Sequence, residues 1–196
     1  MKLRSTLLFS LILFTAACGS SGTMDGMDMS ENETDKAETV GSSAEFNNED
    51  VHFLQMMIPH HEQAIEMSDI ALDPTIGASD VVKGLATQIK GAQDPEITQM
   101  NKWLTDLGKT EMDSSMDMSG KMDGMLTADQ LMNLGTLRGA EFDSAWIKAM
   151  IGHHEGAIKM ATVVIADGTN SQVRVLAEAI IIGQQKEIGT LKALLG

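Results

Sequence analysis

The sequence predicts an all-helical protein, a four-helix bundle made of two repeated helical hairpins. Apolar residues recur at helical spacing through most of residues 49–196. The alternation of β-branched residues that strands need is scarce, and Tyr is absent. The two halves of this region also share a repeated sequence. Each half should therefore form a similar helical unit with an apolar face that the other half covers. A four-helix bundle satisfies both halves.

The first hairpin is predicted at residues 49–108. Apolar residues at helical spacing indicate a helix at 49–72, and Asp-Pro-Thr-Ile-Gly at 73–77 ends it. A second helix is expected at 80–107, with Pro95 as a candidate kink. Two helices joined by so short a turn should pack as an antiparallel pair.

A polar, Met-rich linker at residues 109–126 is predicted to separate the first hairpin from a second one at 127–196. Thr127 and Gln130 have the spacing of a capping box, which should open a short helix. The helices predicted in the second hairpin lie at residues 127–137, 140–166 and 171–195.

The repeat is clearest around two histidine doublets. Met-Ile-Pro-His-His-Glu-Gln-Ala-Ile-Glu-Met-Ser at 57–68 aligns without gaps on Met-Ile-Gly-His-His-Glu-Gly-Ala-Ile-Lys-Met-Ala at 150–161. Gln-Asp-Pro-Glu-Ile at 93–97 aligns on Gln-Gln-Lys-Glu-Ile at 184–188. Residues three or four apart on a helix are neighbours, so one thioether in each repeat lies beside two imidazoles. A Met stripe at this spacing is typical of a core, but its duplication with paired His favours a metal site.

The N-terminus is typical of a bacterial lipoprotein. Lys2 and Arg4 precede a short apolar run, and small residues precede Cys18, the only cysteine in the chain. We therefore predict a signal peptide at 1–17, lipidation at Cys18, and a disordered Met- and Asp-rich tether at 18–48. An ordinary signal peptide followed by a chance cysteine is the alternative. The prediction places the protein outside the cytoplasm, anchored to a membrane by lipid and facing the periplasm or the cell exterior.

Charge and cysteine content narrow the partners. The formal net charge of -14 opposes binding to nucleic acid and favours cations. If Cys18 is acylated, no thiol remains for a soft metal, which must then take its sulfur from methionine.

Methionine is concentrated in two polar segments. Met-Asp-Gly-Met occurs at 24–27 and 122–125, and Met-Asp-Met-Ser at 27–30 and 116–119. A thioether needs no deprotonation, which suits Cu(I) or Ag(I) where thiols oxidise. Scavenging of oxidants is the alternative. The auxiliary metal ligands predicted in these segments are Met24, Met27, Met29, Met116, Met118, Met122 and Met125.

The sequence resembles the bacterial DUF305 family across residues 49–195. The resemblance rests on Phe-Leu-Gln-Met-Met-Ile-Pro-His-His-Glu-Gln-Ala-Ile-Glu-Met at 53–67 and on Glu-Phe-Asp-Ser-Ala-Trp-Ile-Lys-Ala-Met-Ile-Gly-His-His-Glu-Gly-Ala-Ile-Lys-Met-Ala at 141–161. It implies a ferritin-like four-helix bundle, export and, as in characterised members, copper binding and resistance. Gly152 stands where the motif more often has Pro, so the two sites need not be equivalent. The metal ligands implied by the motif are Met57, His60, His61, Met67, Met150, His153, His154 and Met160.

The leading hypothesis is a non-enzymatic protein that sequesters copper in the cell envelope or passes it on. Silver is a second candidate ion, and an envelope copper-transfer protein is a candidate partner. Because His ligates when neutral and its ordinary pKa is about 6.5, binding at the histidines should weaken below about pH 6.

Two alternatives belong to other classes. A ferritin-like di-metal oxidoreductase needs Glu-x-x-His pairs, but only Glu49 and His52 have that spacing, and Ala145 occupies the repeat position equivalent to His52. The other alternative is a structural or interaction lipoprotein without metal.

Overall fold

Five helices account for most of residues 45–110 and 122–195, the two ranges that the computed structural model describes, and no strand occurs in them. The predicted all-helical bundle is confirmed, and each helix lies close to its predicted bounds. The helices are α1 (Asn48–Leu72), α2 (Asp80–Asp106), α3 (Ala128–Leu134), α4 (Gly139–Asp167) and α5 (Ser171–Leu195). Helix α1 continues through Pro59, and helix α2 continues through Pro95.

The long helices pair as the repeat predicts. α1 packs along α2, α4 packs along α5, and the two hairpins meet mainly where α1 contacts α4. The short α3 contacts α4. None of the helices described here has the length and apolar character needed to cross a membrane.

Side-chain caps fix the helix starts. Asn47 and Asp50 form a capping box at α1, and Thr127 and Gln130 form the one expected at α3. Asp50 also accepts hydrogen bonds from the backbone N–H groups of Thr169, at 3.1 Å, and Asn170, at 3.0 Å, at the start of α5. α1 is thereby tied to the opposite hairpin.

The repeat-related Asp143 on α4 makes the matching contact in the other direction. Its carboxylate accepts from the backbone N–H of Ser79, the N-cap of α2, at 3.1 Å. Each inner helix therefore caps the outer helix of the other hairpin, and the two repeats are held in one register.

The core consists of two apolar clusters. The Phe53 cluster and the Trp146 cluster are named here after their largest aromatic members. On α1 the buried apolar residues change from the Phe53 cluster to the Trp146 cluster between residues 58 and 64, and on α4 they change in the opposite sense between 151 and 157. The outer helices change between residues 89 and 100 and between residues 180 and 188.

A polar layer fills the space between these clusters. All its members are buried, and they lie at repeat-related positions of the four long helices. We call this set the central polar layer, and its members are His60, His61, Gln93, His153, His154 and Gln184.

The folded domain begins a few residues earlier than the predicted tether allows. The ring of Phe46 lies 6.3 Å from that of Trp103, centroid to centroid, and the Thr169 hydroxyl donates to the Glu45 carbonyl at 2.7 Å. An aromatic contact and a backbone acceptor therefore fix residues that composition alone assigns to the tether.

Several predictions lie outside the described residues. Residues 1–44 include the predicted signal peptide, the predicted lipidation site Cys18 and most of the predicted tether, and residues 111–121 are the middle of the linker. The auxiliary ligands that fall there are Met24, Met27, Met29, Met116 and Met118.

Candidate metal centre

The contact between α1 and α4 brings one histidine of each doublet together. The rings of His60 and His153 lie 3.8 Å apart, centroid to centroid, with their planes inclined by 42°. Neither side chain is exposed to solvent. His60 Nε2 lies 3.2 Å from the carbonyl oxygen of Asp123. Among the residues that the structure describes, His60 Nδ1 and both ring nitrogens of His153 have no hydrogen-bond partner.

The other histidine of each doublet is held by a glutamate of its own hairpin. His61 Nε2 lies 2.8 Å from a carboxylate oxygen of Glu96, and His154 Nε2 lies 2.7 Å from one of Glu187. Each imidazole that donates there from Nε2 keeps a lone pair on Nδ1, and neither Nδ1 has a partner within residues 45–110 and 122–195. Carboxylates that orient metal-ligating histidines are placed in the same way.

Two glutamines complete the central polar layer. Gln93 and Gln184 lie one turn before Glu96 and Glu187, so they share the same helix faces. Both side-chain amides are buried, and neither the oxygen nor the nitrogen of either amide has a partner in the described part of the chain. Buried polar groups are normally hydrogen-bonded, so such a cluster of unpaired donors and acceptors indicates a site that binds something.

Burial keeps the inner imidazoles neutral. Desolvation, with a smaller contribution from the neighbouring His61, lowers the pKa of His60 from 6.5 to about 3. Desolvation, followed by the effect of His60, lowers the pKa of His153 well below 6.5. These two imidazoles therefore stay neutral just below pH 6, so the predicted weakening of binding below about pH 6 would not come from their protonation.

Sulfur lies on both sides of the layer. Met57 is buried in the Phe53 cluster, one turn before the first doublet, and Met150 is buried in the Trp146 cluster, one turn before the second. Met67 is fully buried in the Trp146 cluster, whereas its repeat partner Met160 is only partly buried. The structure thus separates Met67 from Met160, two positions that the motif treats alike.

The end of the linker crosses the bundle beside His60. We call residues 122–126 the strap. The Gln63 side chain donates to the Leu126 carbonyl at 2.9 Å and accepts from the Leu126 N–H at 2.7 Å. The Asp123 side chain forms an ion pair with Lys159 at 2.9 Å. The strap is therefore anchored to both α1 and α4.

Glycine allows the strap to approach α4. A Cβ at Gly156 would lie 1.8 Å from the Asp123 carbonyl oxygen, and a Cβ at Gly124, where φ is +84°, would lie 2.2 Å from the Gly152 carbonyl oxygen. Gly156 is the repeat partner of Gln63. The two halves thus differ at this position because one side clamps the strap and the other leaves room for it.

The available donors constrain what the layer can hold. Among residues 45–110 and 122–195, no three His, Cys, Asp or Glu side chains converge as a metal site. An ion bound there would therefore combine imidazole nitrogen with methionine sulfur or amide oxygen. Unpaired imidazole nitrogen in a buried layer suits copper, and thioethers on both sides suit Cu(I) in particular.

Sequence reasoning found the histidines but missed the residues around them. Gln93, Glu96, Gln184 and Glu187 were not among the predicted site residues. The signal was present, since Gln and Glu are the identical polar residues in the aligned segments 93–97 and 184–188. Helical spacing would have placed them on one face.

The fold and the site together define a class of protein, a duplicated helical bundle with a layer of imidazoles between two apolar clusters. The family model of DUF305, a domain of unknown function, matches residues 50–195. The chain belongs to the DUF305 family, which confirms the resemblance seen in the sequence.

Solved structures agree with this assignment. A DUF305 protein of Streptomyces coelicolor, provisionally described as secreted, is 30% identical, with a TM-score of 0.68 over 75% of this chain and 91% of that chain. A DUF305 fragment from Deinococcus radiodurans is 27% identical, with a TM-score of 0.70 over 77% and 97%. CopM in its Cu(I)-bound form is 30% identical, with a TM-score of 0.61 over 74% and 94%. Cu(II)-bound and Ag-bound forms of CopM also match. The sequence matches none of the curated proteins.

Proposed function

We propose that this protein binds copper in the cell envelope, to sequester it or to pass it to a partner, and that the central polar layer is its principal site. The observation that carries the proposal is a set of buried imidazole nitrogens without a partner among the described residues, on His60, His61, His153 and His154. Leaving such groups unpaired in an apolar interior is unfavourable, and a bound ion would satisfy them.

The layer's chemistry favours copper over harder ions. Neutral imidazole is a good ligand for Cu(I) and Cu(II), and the thioethers of Met57 and Met150 add a preference for Cu(I). CopM, a structural neighbour of this chain, is described in Cu(I)-, Cu(II)- and Ag-bound forms. We extend the same ion class to this chain. Of the predicted ligands, the layer and the sulfurs one turn from it supply Met57, His60, His61, Met150, His153 and His154, whereas Met67 packs in the Trp146 cluster and Met160 lies outside the layer.

Different residues have different tasks in this proposal. Glu96 and Glu187 orient His61 and His154 through Nε2, which leaves Nδ1 free to act as the ligand atom. His60 and His153 stay neutral because they are buried, so no proton has to leave them when the ion binds. The Asp123 carbonyl occupies His60 Nε2 and directs its Nδ1 lone pair away from the strap.

Export is the second part of the proposal. The signal peptide at 1–17 and lipidation at Cys18 would place the domain on an envelope membrane, and the provisional description of the Streptomyces coelicolor neighbour as secreted is in keeping with this. Radiolabelled palmitate incorporated by wild-type cells, and not by a Cys18→Ser variant, would support the anchor. Equal labelling would exclude it.

The direct test is copper binding by the mature chain. We expect a variant in which His60, His61, His153 and His154 are all Gln to lose tight Cu(II) binding, while a His52→Gln control, changed at an exposed position, keeps it. Circular dichroism would establish that both fold. Unchanged Cu(II) affinity in the fourfold variant would contradict the proposal, and binding of iron in preference to copper would favour the di-metal oxidoreductase.

A further inference from the structure

We propose that a second metal site, for a soft monovalent cation such as Cu(I) or Ag(I), lies in a surface groove beside the strap. This inference rests on the proposed function, because it assumes a copper-handling protein, but it concerns other residues. The groove encloses about 360 Å³. We call it the methionine groove, and its possible donors are His52, Met56, Met122 and Met160.

The donors come from three separate segments. His52 and Met56 lie one turn apart on α1, Met160 is on α4, and Met122 begins the strap. Residues four apart on a helix point to the same side, so His52 and Met56 can face one ion. Three thioethers and one imidazole around one cavity form a donor set without net charge, which suits a soft monovalent ion.

The position of Met122 is the least expected part of this arrangement. The sequence predicts that it lies in a solvated linker, yet it is only 7% exposed. The following residue, Asp123, fixes it, because the Asp123 side chain pairs with Lys159 and its carbonyl lies beside His60 Nε2. The strap therefore holds a thioether against the bundle rather than leaving it in solvent.

Met160 reaches the groove from α4. Its repeat partner Met67 is wholly buried in the Trp146 cluster, where a thioether is ordinary packing. Met160 is only partly buried and lines the groove with the exposed Val163. The second repeat has thus kept the methionine but placed its sulfur where an ion can reach it.

The charges around the groove are compatible with a cation. Lys159 is the one cationic side chain among the groove residues, and its charge is opposed by Asp123. Glu49 adds a further carboxylate to the lining. The thioethers would give the groove a stronger preference for Cu(I) over Cu(II) than the imidazole-rich central polar layer has.

The groove and the layer share the strap. Asp123 lines the groove, and its carbonyl contacts His60 in the layer. An ion in the groove would therefore lie next to the segment that contacts His60.

Nuclear magnetic resonance of methionine methyl groups tests the site in the intact mature chain. We would label methionine with ¹³C at the methyl carbon, assign Met56, Met122 and Met160 by single Leu replacements, and titrate with Ag(I). The three methyl signals should shift together in one binding event, while the signal of Met132, exposed on α3 and not part of the groove lining, should not follow them. Independent shifts, or no shift while other methyl groups saturate, would overturn the proposal.

A triple Met56→Leu, Met122→Leu and Met160→Leu variant separates the two sites. Leu conserves volume, so the fold should be kept. We expect loss of one Ag(I) equivalent with unchanged Cu(II) affinity, whereas unchanged Ag(I) stoichiometry would overturn the groove. If instead the fourfold His variant keeps its Cu(II) affinity while the triple variant loses an Ag(I) equivalent, the proposed principal site fails and the groove stands.

Discussion

The two halves of the molecule form similar His–Glu pairs, but the other histidine of each doublet has different surroundings in the two halves. His61 with Glu96 and His154 with Glu187 have nearly the same geometry. His60 Nε2 contacts the strap, whereas the ring nitrogens of His153 have no hydrogen-bond partner among the described residues. Duplication alone would give a symmetric layer. Among the described residues, the strap breaks the symmetry, because Asp123 contacts His60 and no matching hydrogen bond is made to His153.

This difference explains why the second repeat departs from the first at particular positions. Gln63 clamps Leu126, and its partner Gly156 leaves room for Asp123. Gly152, which replaces the Pro of the first repeat, contributes the carbonyl that Gly124 approaches. The departures follow the path of the strap, while the residues of the layer itself are conserved between the halves.

The largest expected effect is on stability in acid, and it concerns the inner pair. The unfolded chain binds protons at an ordinary histidine pKa of 6.5, whereas in the folded protein the pKa of His60 is about 3 and that of His153 is also lowered. Unfolding therefore takes up protons. The free energy of unfolding is highest above pH 6.5, where both states have neutral imidazoles, and it falls as the pH falls toward 3. Between about pH 6.5 and pH 3, protonation of His60 in the unfolded chain should remove roughly 1 kcal/mol of unfolding free energy per pH unit, and His153 should act in the same direction.

Urea unfolding between pH 7.5 and 5 would measure this effect in the metal-free mature chain. Comparison with a His60→Phe, His153→Phe variant isolates the two imidazoles from the carboxylates, which titrate in both proteins. The variant should show a clearly flatter loss of stability. Parallel curves would mean that the inner rings are not buried as described.

The next effect separates the two glycines of α4. Gly156→Ala forces a Cβ against the Asp123 carbonyl and should destabilise the fold by about 1–3 kcal/mol. Gly152→Ala is the matched control, since its Cβ would meet nothing within 4 Å. Alanine there should stabilise the helix by up to about 1 kcal/mol. Thermal unfolding should show a lower melting temperature for Gly156→Ala and a higher one for Gly152→Ala. Equal changes in melting temperature would show that the strap does not pack against Gly156.

A somewhat smaller effect should be the same in both halves. Glu96→Gln and Glu187→Gln keep a hydrogen-bond acceptor for the imidazole but remove its charge. Loss of such a partner to a metal-bound histidine typically weakens metal affinity about 10–100-fold. Competition titration with a Cu(II) chelator should give similar losses for the two variants. A loss confined to one of them would show that only one half binds the ion.

The smallest effect concerns the clamp. Gln63→Leu removes both hydrogen bonds to Leu126 and should destabilise the fold by about 1–2 kcal/mol. Amide hydrogen exchange would localise the change, with protection reduced at the strap and retained in α5. Uniform loss of protection would instead indicate a general packing defect.

Much of this molecule follows from sequence pattern. Helical periodicity, caps such as Thr127 with Gln130, and the repeat are local or near-local signals, so the helices and their pairing were predictable. The His doublets were equally visible. The strap was not, because its position depends on Gly156 and Gln63, which lie far from it in sequence, and a short acidic segment has no periodicity of its own.

The same limit applies to the side chains of the site. Composition marks Met122 as a solvated residue, and only the tertiary contacts of Asp123 show why it is buried. The pKa of the inner histidines also depends on burial, which the apolar residues of α1 and α4 produce jointly. From the sequence alone, a histidine can be assigned only its ordinary pKa, because the effect of burial requires the fold.

The central claim is that the imidazoles of the central polar layer bind copper. Pulsed electron paramagnetic resonance of the Cu(II)-loaded mature chain, prepared with ¹⁵N-histidine, tests it most directly. The account predicts couplings to the remote nitrogens of at least two imidazoles, which disappear in the fourfold His→Gln variant and persist in His52→Gln. Cu(II) bound without imidazole coupling, or with coupling that survives the fourfold change, would contradict it.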